Sequence, residues 1–185
     1  MTFEPETPLD LIDHPELIKM VRTVTENAKY QVDMSLVDEM QGYVSVAKKA
    51  REKAHAMRLP DRYQTEADLH ELAKFFKEVQ ANRDRVIEIK IGFLPLRRSL
   101  KRIMEEAVAL LYQYPVVAKV SPAPARDAIR DKILGPLRDV SSKVEMMIEI
   151  ASEVDRHLGN AHFSLKELKA IGIIYIEGAR AQRGV

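Results

Sequence analysis

Cysteine and tryptophan are both absent from this 185-residue chain, and only 6% of its residues are aromatic. Without cysteine the protein has no disulfide, no thiol nucleophile and no cysteine-ligated zinc site. The formal net charge of +1 gives no global attraction to nucleic acid or membrane. The longest apolar run, residues 170–176, is too short to cross a bilayer, and the acidic, proline-bearing N-terminus is unlike a signal peptide. These absences predict a soluble, cytoplasmic protein with no membrane partner.

Lys, Glu, Arg, Leu and Ala are abundant instead, a composition that favours an all-α fold. Residues 72–114 carry a nearly apolar series at alternating steps of three and four, the spacing of a heptad seam. The series is Leu72, Phe75, Val79, Asn82, Val86, Ile89, Phe93, Leu96, Leu100, Ile103, Ala107, Leu110 and Tyr114. We expect a long helix in which the members from Val79 to Ile103 form a candidate seam between copies of an oligomer. Asn82, its polar member, either fixes the register of that seam or lies at a partly solvated edge.

Proline interrupts both of the long amphipathic segments. The apolar phase continues across Pro95, which favours one helix kinked near that residue over two helices joined by a turn. A second heptad series contains a Gly-Pro pair at residues 135–136, which predicts a kink or a break there. A proline-rich linker at residues 119–125 joins the two segments, and the simplest arrangement is an antiparallel helical hairpin or bundle. The second series is Ile129, Ile133, Leu137, Val140, Val144, Met147, Ala151, Val154 and Leu158.

We assign this hairpin core to residues 63–178. Residues 1–16 carry five acidic side chains and no Lys or Arg, which predicts an extended arm. The arm is either a plain tail or a docking peptide for a partner. Residues 17–62 are expected to form N-terminal helices, of which the main one runs from Ser35 to about Arg58.

The C-terminal part of the core carries its own boundary signals. Gly159 and the asparagine after it predict a helix stop. Ser164 and Glu167 have the spacing of a capping box, which predicts the start of a last helix. Residues 170–176 fit either a helix or a short strand. Residues 179–185 are expected to be a flexible tail.

Basic residues recur at helical spacing in two places. The N-terminal stripe contains Lys48, Arg51, Arg58 and Arg62, and the cluster in the central helix contains Lys90, Arg97, Arg98, Lys101 and Arg102. Either group has the spacing to follow a phosphate backbone, and we treat both as candidate nucleic-acid-binding residues. The alternative is a solvated face that pairs with acidic residues elsewhere in the protein.

No arrangement of residues is typical of catalysis. The five histidines are dispersed, and no two of them have the i, i+4 spacing of a helical zinc site. The sequence contains no glycine-rich phosphate loop, no serine elbow and no dinucleotide fingerprint. We therefore expect no enzymatic activity, no catalytic residue, no cofactor and no metal site.

Several short stretches share a likeness with one protein family. They are Leu69-His70, Lys143-Val144-Glu145, Val154-Asp155, residues 160–166 and Glu177-Gly178. The last four resemble the C-terminal segment of the UvsY family of phage recombination mediators, where a long helix meets a short N/R-x-x-F-x-I-K element and a final helix ending in glycine. The first is similar to a Leu-His pair in that family, and residues 1–60 have no counterpart in it.

The resemblance implies a small helical protein that assembles into a ring, binds single-stranded DNA through basic helix residues and helps to load a recombinase. Under it the DNA-facing candidates are the basic residues of the central helix, and the cytoplasm is that of the phage's host. It also implies three kinds of partner: further copies of the chain, single-stranded DNA, and a recombinase. The recombinase or another protein would bind through the acidic arm.

We therefore interpret the chain as a non-catalytic, self-assembling adaptor, most specifically a phage-type recombination mediator. Two alternatives stay open. The first is a purely structural oligomeric component, such as a phage scaffold, a small packaging subunit or a protein adaptor, that binds no nucleic acid. The second is a helical regulator that binds duplex DNA.

Overall fold

The computed structural model describes residues 15–57, 66–113, 115–119 and 123–183. These residues form no strand and five α-helices: α1 (Pro15–Gln31), α2 (Ser35–Met57), α3 (Glu66–Gln113), α4 (Pro115–Ala118) and α5 (Ala123–Arg183). The predicted all-α class is confirmed. Residues 170–176, which fitted either a helix or a strand, are helical.

The helices form two compact units, each assembled from separate parts of the chain. The described part of unit 1 contains α1, residues 92–113 of α3, α4 and residues 123–147 of α5. The described part of unit 2 contains α2, residues 66–91 of α3 and residues 148–183 of α5. This grouping differs from the predicted division into N-terminal helices and a hairpin core, because α1 and α2 belong to different units.

Helix α3 is continuous through Pro95, as its unbroken apolar phase predicts. Six residues spaced seven apart are each at most 6% exposed: Leu72, Val79, Val86, Phe93, Leu100 and Ala107. Among the other members of the predicted seam, Ile89 is buried, whereas Asn82, Leu96 and Ile103 are half-buried. All of this burial is provided by the chain's own helices. A seam between copies of the chain therefore stays a prediction, with Asn82, Leu96 and Ile103 as its partly accessible members.

Helix α5 continues from Ala123 to Arg183, which corrects several predictions. It has no break at its Gly-Pro pair, no stop at Gly159 and no new start at Ser164. It also begins inside the predicted 119–125 linker and continues through residues 179–183 of the predicted tail.

The physical reason is a series of buried residues that keeps its phase past the predicted stop. The series is Ile133, Leu137, Val140, Val144, Met147, Ala151, Val154, Leu158, Ala161, Leu165 and Leu168. A glycine inside a helix costs only about 1 kcal/mol relative to alanine. Burying one large apolar side chain contributes about 1.5–3 kcal/mol. Packing of this face therefore outweighs the local stop signal.

Within each unit the parts of α3 and α5 run antiparallel. Pairs in contact are Phe76 with His162 and Arg83 with Asp155 in unit 2, and Arg97 with Glu145 and Tyr112 with Asp127 in unit 1. In each unit, a step forward along α3 is matched by a step backward along α5. This is the direction that the predicted hairpin requires.

Helix α2 has nearly the predicted bounds, and one of its faces is buried. Its buried residues are Met40, Ala47, Ala50, Ala54 and Met57. In unit 2 it runs antiparallel to α3, with Lys53 pairing with Glu71 and Arg85 with Glu39. Helix α2 and the unit 2 part of α5 therefore run in the same direction.

Helix α1 begins at Pro15, inside the predicted extended arm, and buries Val21, Thr25 and Ala28. The proposed docking peptide falls in residues 1–14, outside the described residues. Across the described ranges, no helix is both long enough and apolar enough to span a bilayer.

Candidate nucleic-acid interface

The predicted basic stripe of the N-terminal region is partly visible on α2. Lys48 and Arg51 are exposed, and in the described part of the chain neither forms an ion pair. The neighbouring Lys53 is different, since its Nζ lies 2.9 Å from a carboxylate oxygen of Glu71 on α3. Arg58 and Arg62, the other two members of the stripe, lie outside the described residues.

The predicted cluster on α3, taken together with Arg83 seven residues before Lys90, divides into an inner and an outer set. The inner set is the row spaced seven apart, Arg83, Lys90 and Arg97. In unit 2, Nε of Arg83 lies 2.8 Å from a carboxylate oxygen of Asp155. In unit 1, Nε of Arg97 lies 2.6 Å from one of Glu145. Two of the three side chains therefore tie α3 to α5, and phosphate would have to displace Glu145 to reach Arg97.

Lys90, the middle member of this row, is half-buried and forms no ion pair with any described residue. Its seven-residue spacing from Arg83 and Arg97, which both pair with acids of α5, puts it at the edge of the packed face rather than on the open side of the helix. Of the predicted α3 cluster, it is thus the member least accessible to a long polyanion.

The outer set consists of Arg98, Lys101 and Arg102, all of them exposed. Arg98 and Lys101 have no ion pair within the described ranges. Nε of Arg102 lies 3.7 Å from a carboxylate of Glu106 one turn later, a weak surface pair. Glu105 is exposed on the same side and offsets part of the positive charge. The outer set nevertheless presents two cations that no acid of the described fold holds.

An exposed aromatic residue continues this outer face. Tyr112 follows Lys101 by eleven residues, about three helical turns, so both lie on the same side of α3. The guanidinium carbon of Arg126, at the start of α5, lies 5.9 Å from the centroid of the Tyr112 ring. This is a cation–π contact at a partly solvated site.

Hydrogen bonds fix the orientation of the Tyr112 ring. Its hydroxyl donates to Oδ1 of Asp127 at 3.3 Å and accepts from Nη1 of Arg130 at 3.2 Å. Arg130 also pairs with Asp127 at 3.0 Å and with Asp131 at 3.1 Å. The ring is therefore held at the end of α3 without any burial in a core.

The charges of this small network largely balance. The hydrogen bond from Arg130 lowers the pKa of Asp131 and raises the pKa of Arg130. Arg138 contributes a further bond to Asp131 at 2.7 Å. Arg126 is the cation that remains, since it has no ion pair among the residues described. Sequence reasoning missed Tyr112 and Arg126, although the eleven-residue spacing from Lys101 was a signal that could have found the first.

A second cluster of interacting side chains lies in unit 2, where the ring centroids of Phe76 and His162 are 4.4 Å apart. Nζ of Lys169 lies 6.0 Å from the Phe76 ring centroid. Partial burial lowers the pKa of His162, and the positive charges of Arg83 and Lys166 lower it further. No set of three potential metal ligands occurs together anywhere in the described ranges. The contacts of this group are those of a packed helix interface.

Comparison with known proteins adds no relative. No family model matches the chain, and neither a curated protein nor a solved structure is found to be similar to it.

Proposed function

We propose that this chain is a non-catalytic, self-assembling helical adaptor that binds single-stranded DNA through the outer face of α3. The observation that carries the proposal is the division of the basic cluster. Arg83 and Arg97 are held by acids of α5, whereas Arg98 and Lys101 are exposed and held by none in the described fold. Unpaired surface cations gain most from neutralising phosphates, because they have no protein carboxylate to give up.

Tyr112 is the reason to favour a single strand over a duplex. Proteins that bind single strands without sequence preference combine cations along the backbone with aromatic rings on which bases stack. A duplex hides its base faces, so an exposed ring gains little from it. From Arg98 to Tyr112 the outer face is roughly 21 Å long at the helical rise per residue. This length suits a short segment of single strand.

The more specific role, loading a recombinase onto that strand, comes from the resemblance of the C-terminal stretches to the UvsY family. It requires self-assembly and a protein partner. The acidic N-terminal arm is the proposed contact for the recombinase, since it carries acids and apolar residues without Lys or Arg.

A second candidate is a structural oligomeric component that binds no nucleic acid. It is favoured by a different observation, the exposed apolar residues on the C-terminal part of α5, of which Phe163 is 62% and Ile174 69% exposed. Such a surface is typical of a protein–protein contact. The two candidates differ in one measurable property, the affinity for DNA.

Fluorescence anisotropy of labelled single-stranded and duplex oligonucleotides, at low and physiological salt, tests the proposal. We expect tighter binding to the single strand, and binding that weakens as salt increases. The triple variant Arg98→Gln/Lys101→Gln/Arg102→Gln should lower the affinity at least tenfold at low salt. It should also reduce the slope of log affinity against log salt by about 2, because each neutralised phosphate of a single strand contributes roughly 0.7 to that slope.

A matched control removes the same charge from another surface of unit 1. Lys19, Arg22 and Lys29 of α1 are exposed and unpaired within the described ranges, and their replacement by Gln should change the affinity less than threefold. Tyr112→Leu should weaken single-strand binding and leave the salt slope unchanged. Absence of binding to either oligonucleotide at low salt would leave the structural component as the function. Tighter duplex binding would point to the regulator instead.

A further inference from the structure

The junction of α3 and α5 in unit 1 brings an exposed aromatic ring and a guanidinium together. Tyr112, near the end of α3, is 37% exposed, and the guanidinium carbon of Arg126 lies 5.9 Å from its ring centroid. Phe163 is also an exposed aromatic residue, but no cation lies over its ring within the described ranges. Aromatic rings and arginine planes are the two kinds of surface on which proteins stack an unpaired nucleobase.

The distance between the two groups is close to the width that an inserted base needs. Carbon atoms in van der Waals contact are about 3.5–4.0 Å apart, so a planar base touching both groups needs roughly 7–8 Å between them. The observed separation is 5.9 Å. A base could therefore enter if one of the two groups moved outward by about 1–2 Å.

The two groups differ in how firmly the fold holds them. The Tyr112 hydroxyl donates to Oδ1 of Asp127 at 3.3 Å and accepts from Nη1 of Arg130 at 3.2 Å. Arg126 has no ion pair in the described part of the chain, and its contact with the ring is a weak one at a partly solvated site. The ring is thus the fixed side of the site, and the Arg126 side chain is the side that can move.

The charge around the ring matches that of one nucleotide. Three arginines and two aspartates of α5 lie there and give a formal charge of +1: Arg126, Asp127, Arg130, Asp131 and Arg138. A guanidinium nitrogen of Arg130 lies 3.0 Å from Asp127. Asp131 is held by Arg130 at 3.1 Å and by Arg138 at 2.7 Å. Both acids are therefore neutralised within the fold, and Arg126 remains for a single phosphate.

We infer that Tyr112 and Arg126 form a clamp for one unpaired nucleobase, which inserts between the ring and the guanidinium. The face of the guanidinium stacks on the base, and its edge donates to the neighbouring phosphate. Asp127 and Arg130 are positioning residues that hold the ring. The clamp rests on the proposed binding of single-stranded DNA and adds to it a DNA-contacting residue outside α3. A paired base in a duplex is covered by its neighbours and cannot enter.

An acidic side chain lies near the path of the strand. Glu105 is exposed and precedes Tyr112 by seven residues, so it lies on the same side of α3. Its charge repels phosphates between Lys101 and Tyr112 but not a neutral base in the clamp. Glu105→Gln should therefore raise the affinity by about twofold for strands with and without that base. A gain that requires the base would count against the clamp.

A fluorescent base tests insertion directly. The probe is a thymine oligonucleotide that carries a single 2-aminopurine, an adenine analogue whose emission falls when it stacks. Binding of the full chain at low salt should quench this emission, and Tyr112→Leu should remove most of the quenching at saturation. Phe163→Leu makes the same kind of change at the exposed ring of α5 and should leave the quenching as in the wild type.

The role of the hydroxyl contacts is tested with the same probe. Tyr112→Phe keeps the ring and removes its hydrogen bonds to Asp127 and Arg130. It should quench less than the wild type and more than Tyr112→Leu, because a ring without these bonds is less well oriented. Quenching equal to that of the wild type would overturn the positioning role.

An abasic nucleotide in place of the 2-aminopurine tests the contribution of Arg126. We expect the wild-type affinity to fall about tenfold, since the stacking of one base is lost. Arg126→Lys retains the charge but not the plane, so it should reduce this abasic penalty to less than about threefold and leave the salt slope unchanged. Arg98→Lys is the matched control, and its abasic penalty should stay near tenfold.

The outcomes separate the clamp from the proposed function. Single-strand binding with neither quenching nor an abasic penalty overturns the clamp and retains the proposed function. An abasic penalty that Tyr112→Leu removes and Arg126→Lys does not would mean that the base stacks on the ring alone, which overturns insertion between the two groups. Absence of single-strand binding at low salt overturns both.

Discussion

Helices α3 and α5 carry the same residue types on an inner and an outer face, and the two faces have different uses. On the inner face Leu158 is fully buried, and Arg83 is held by Asp155. On the outer face Phe163 is 62% exposed, and Arg98 has no ion pair with a described residue. Composition does not separate these pairs, whereas position relative to the buried series does. The comparison teaches that a candidate binding surface consists of side chains that lie outside the buried series and make no contact with another helix of the chain.

Removing a large apolar side chain from each face should give the largest difference between the two faces in the free energy of unfolding. Leu158→Ala should lower the free energy of unfolding by about 2–5 kcal/mol, because it leaves a cavity in unit 2. Phe163→Ala should change it by less than about 0.5 kcal/mol, since its ring is already largely in water. Urea denaturation at a protein concentration low enough for monomers measures both.

Equal decreases at the two sites would contradict this inner–outer contrast, because they would mean that Phe163 is packed within its own chain. A decrease at Phe163 that grows with protein concentration would instead indicate that Phe163 takes part in self-association, since association stabilises the folded state.

Replacing a glycine on each face by alanine should change the free energy of unfolding by a smaller amount, and it should raise that free energy rather than lower it. Gly159 lies inside α5, where an added methyl group would meet the Arg83 guanidinium carbon at 3.8 Å, an ordinary contact. Gly92 lies inside α3 with open space around it. Both Gly159→Ala and Gly92→Ala should raise the free energy of unfolding by about 1 kcal/mol, because alanine is the better helix former. Thermal or urea unfolding measures each gain.

A gain at Gly92 alone would show that the Arg83 guanidinium needs the space over Gly159. In that case Arg83→Gln should restore the gain from Gly159→Ala, and the two sites would be coupled.

The interhelical ion pairs should contribute less than the core. A double-mutant cycle of Arg83→Gln and Asp155→Asn should give a coupling energy of roughly 0.5–1 kcal/mol, since both side chains are about one-third exposed or less. The pair of Arg97 and Glu145 is half exposed and should give roughly 0.2–0.5 kcal/mol. Raising the salt concentration should reduce both. A larger coupling energy for the pair of Arg97 and Glu145 than for the pair of Arg83 and Asp155 would contradict the assignment of their relative burial.

Heptad spacing made the fold largely predictable, because a helix face that must be buried keeps its phase over many turns. The single α3 helix was predicted in this way. The continuation of α5 through Gly159 was not, since a glycine signal is local and its cost is small beside that of exposing Leu165 and Leu168. Tertiary packing outweighed the local signal, and the apolar spacing that continues from Leu158 to Leu165 and Leu168 was the sequence signal that could have shown it.

The basic residues illustrate the other limit of the sequence. Lys90, Arg97 and Arg98 are close in the chain and alike in type, yet Arg97 faces Glu145 of α5 and Arg98 faces solvent. Which of them pairs depends on the register between α3 and α5. That register is set by contacts between residues some fifty positions apart, and the spacing along α3 does not encode it.

The smallest effect concerns pH. His162 lies on the inner face, where partial burial and then the charges of Arg83 and Lys166 lower its pKa, while Asp84 opposes them. A histidine with a lowered folded-state pKa takes up its proton more readily when the chain is unfolded. Its stabilising contribution is therefore present above its unfolded value, about 6.5, and is lost as the pH falls from there toward the folded pKa.

The free energy of unfolding should consequently fall between pH 7.5 and pH 5, and His162→Gln should remove part of that dependence. Urea denaturation at a series of pH values measures it, with the exposed His70→Gln as the matched control on α3. A flatter profile in His70→Gln than in His162→Gln would place the titrating group on the outer face. Because protonating His162 adds a cation beside Arg83, lower salt should steepen the dependence in the wild type and not in His162→Gln.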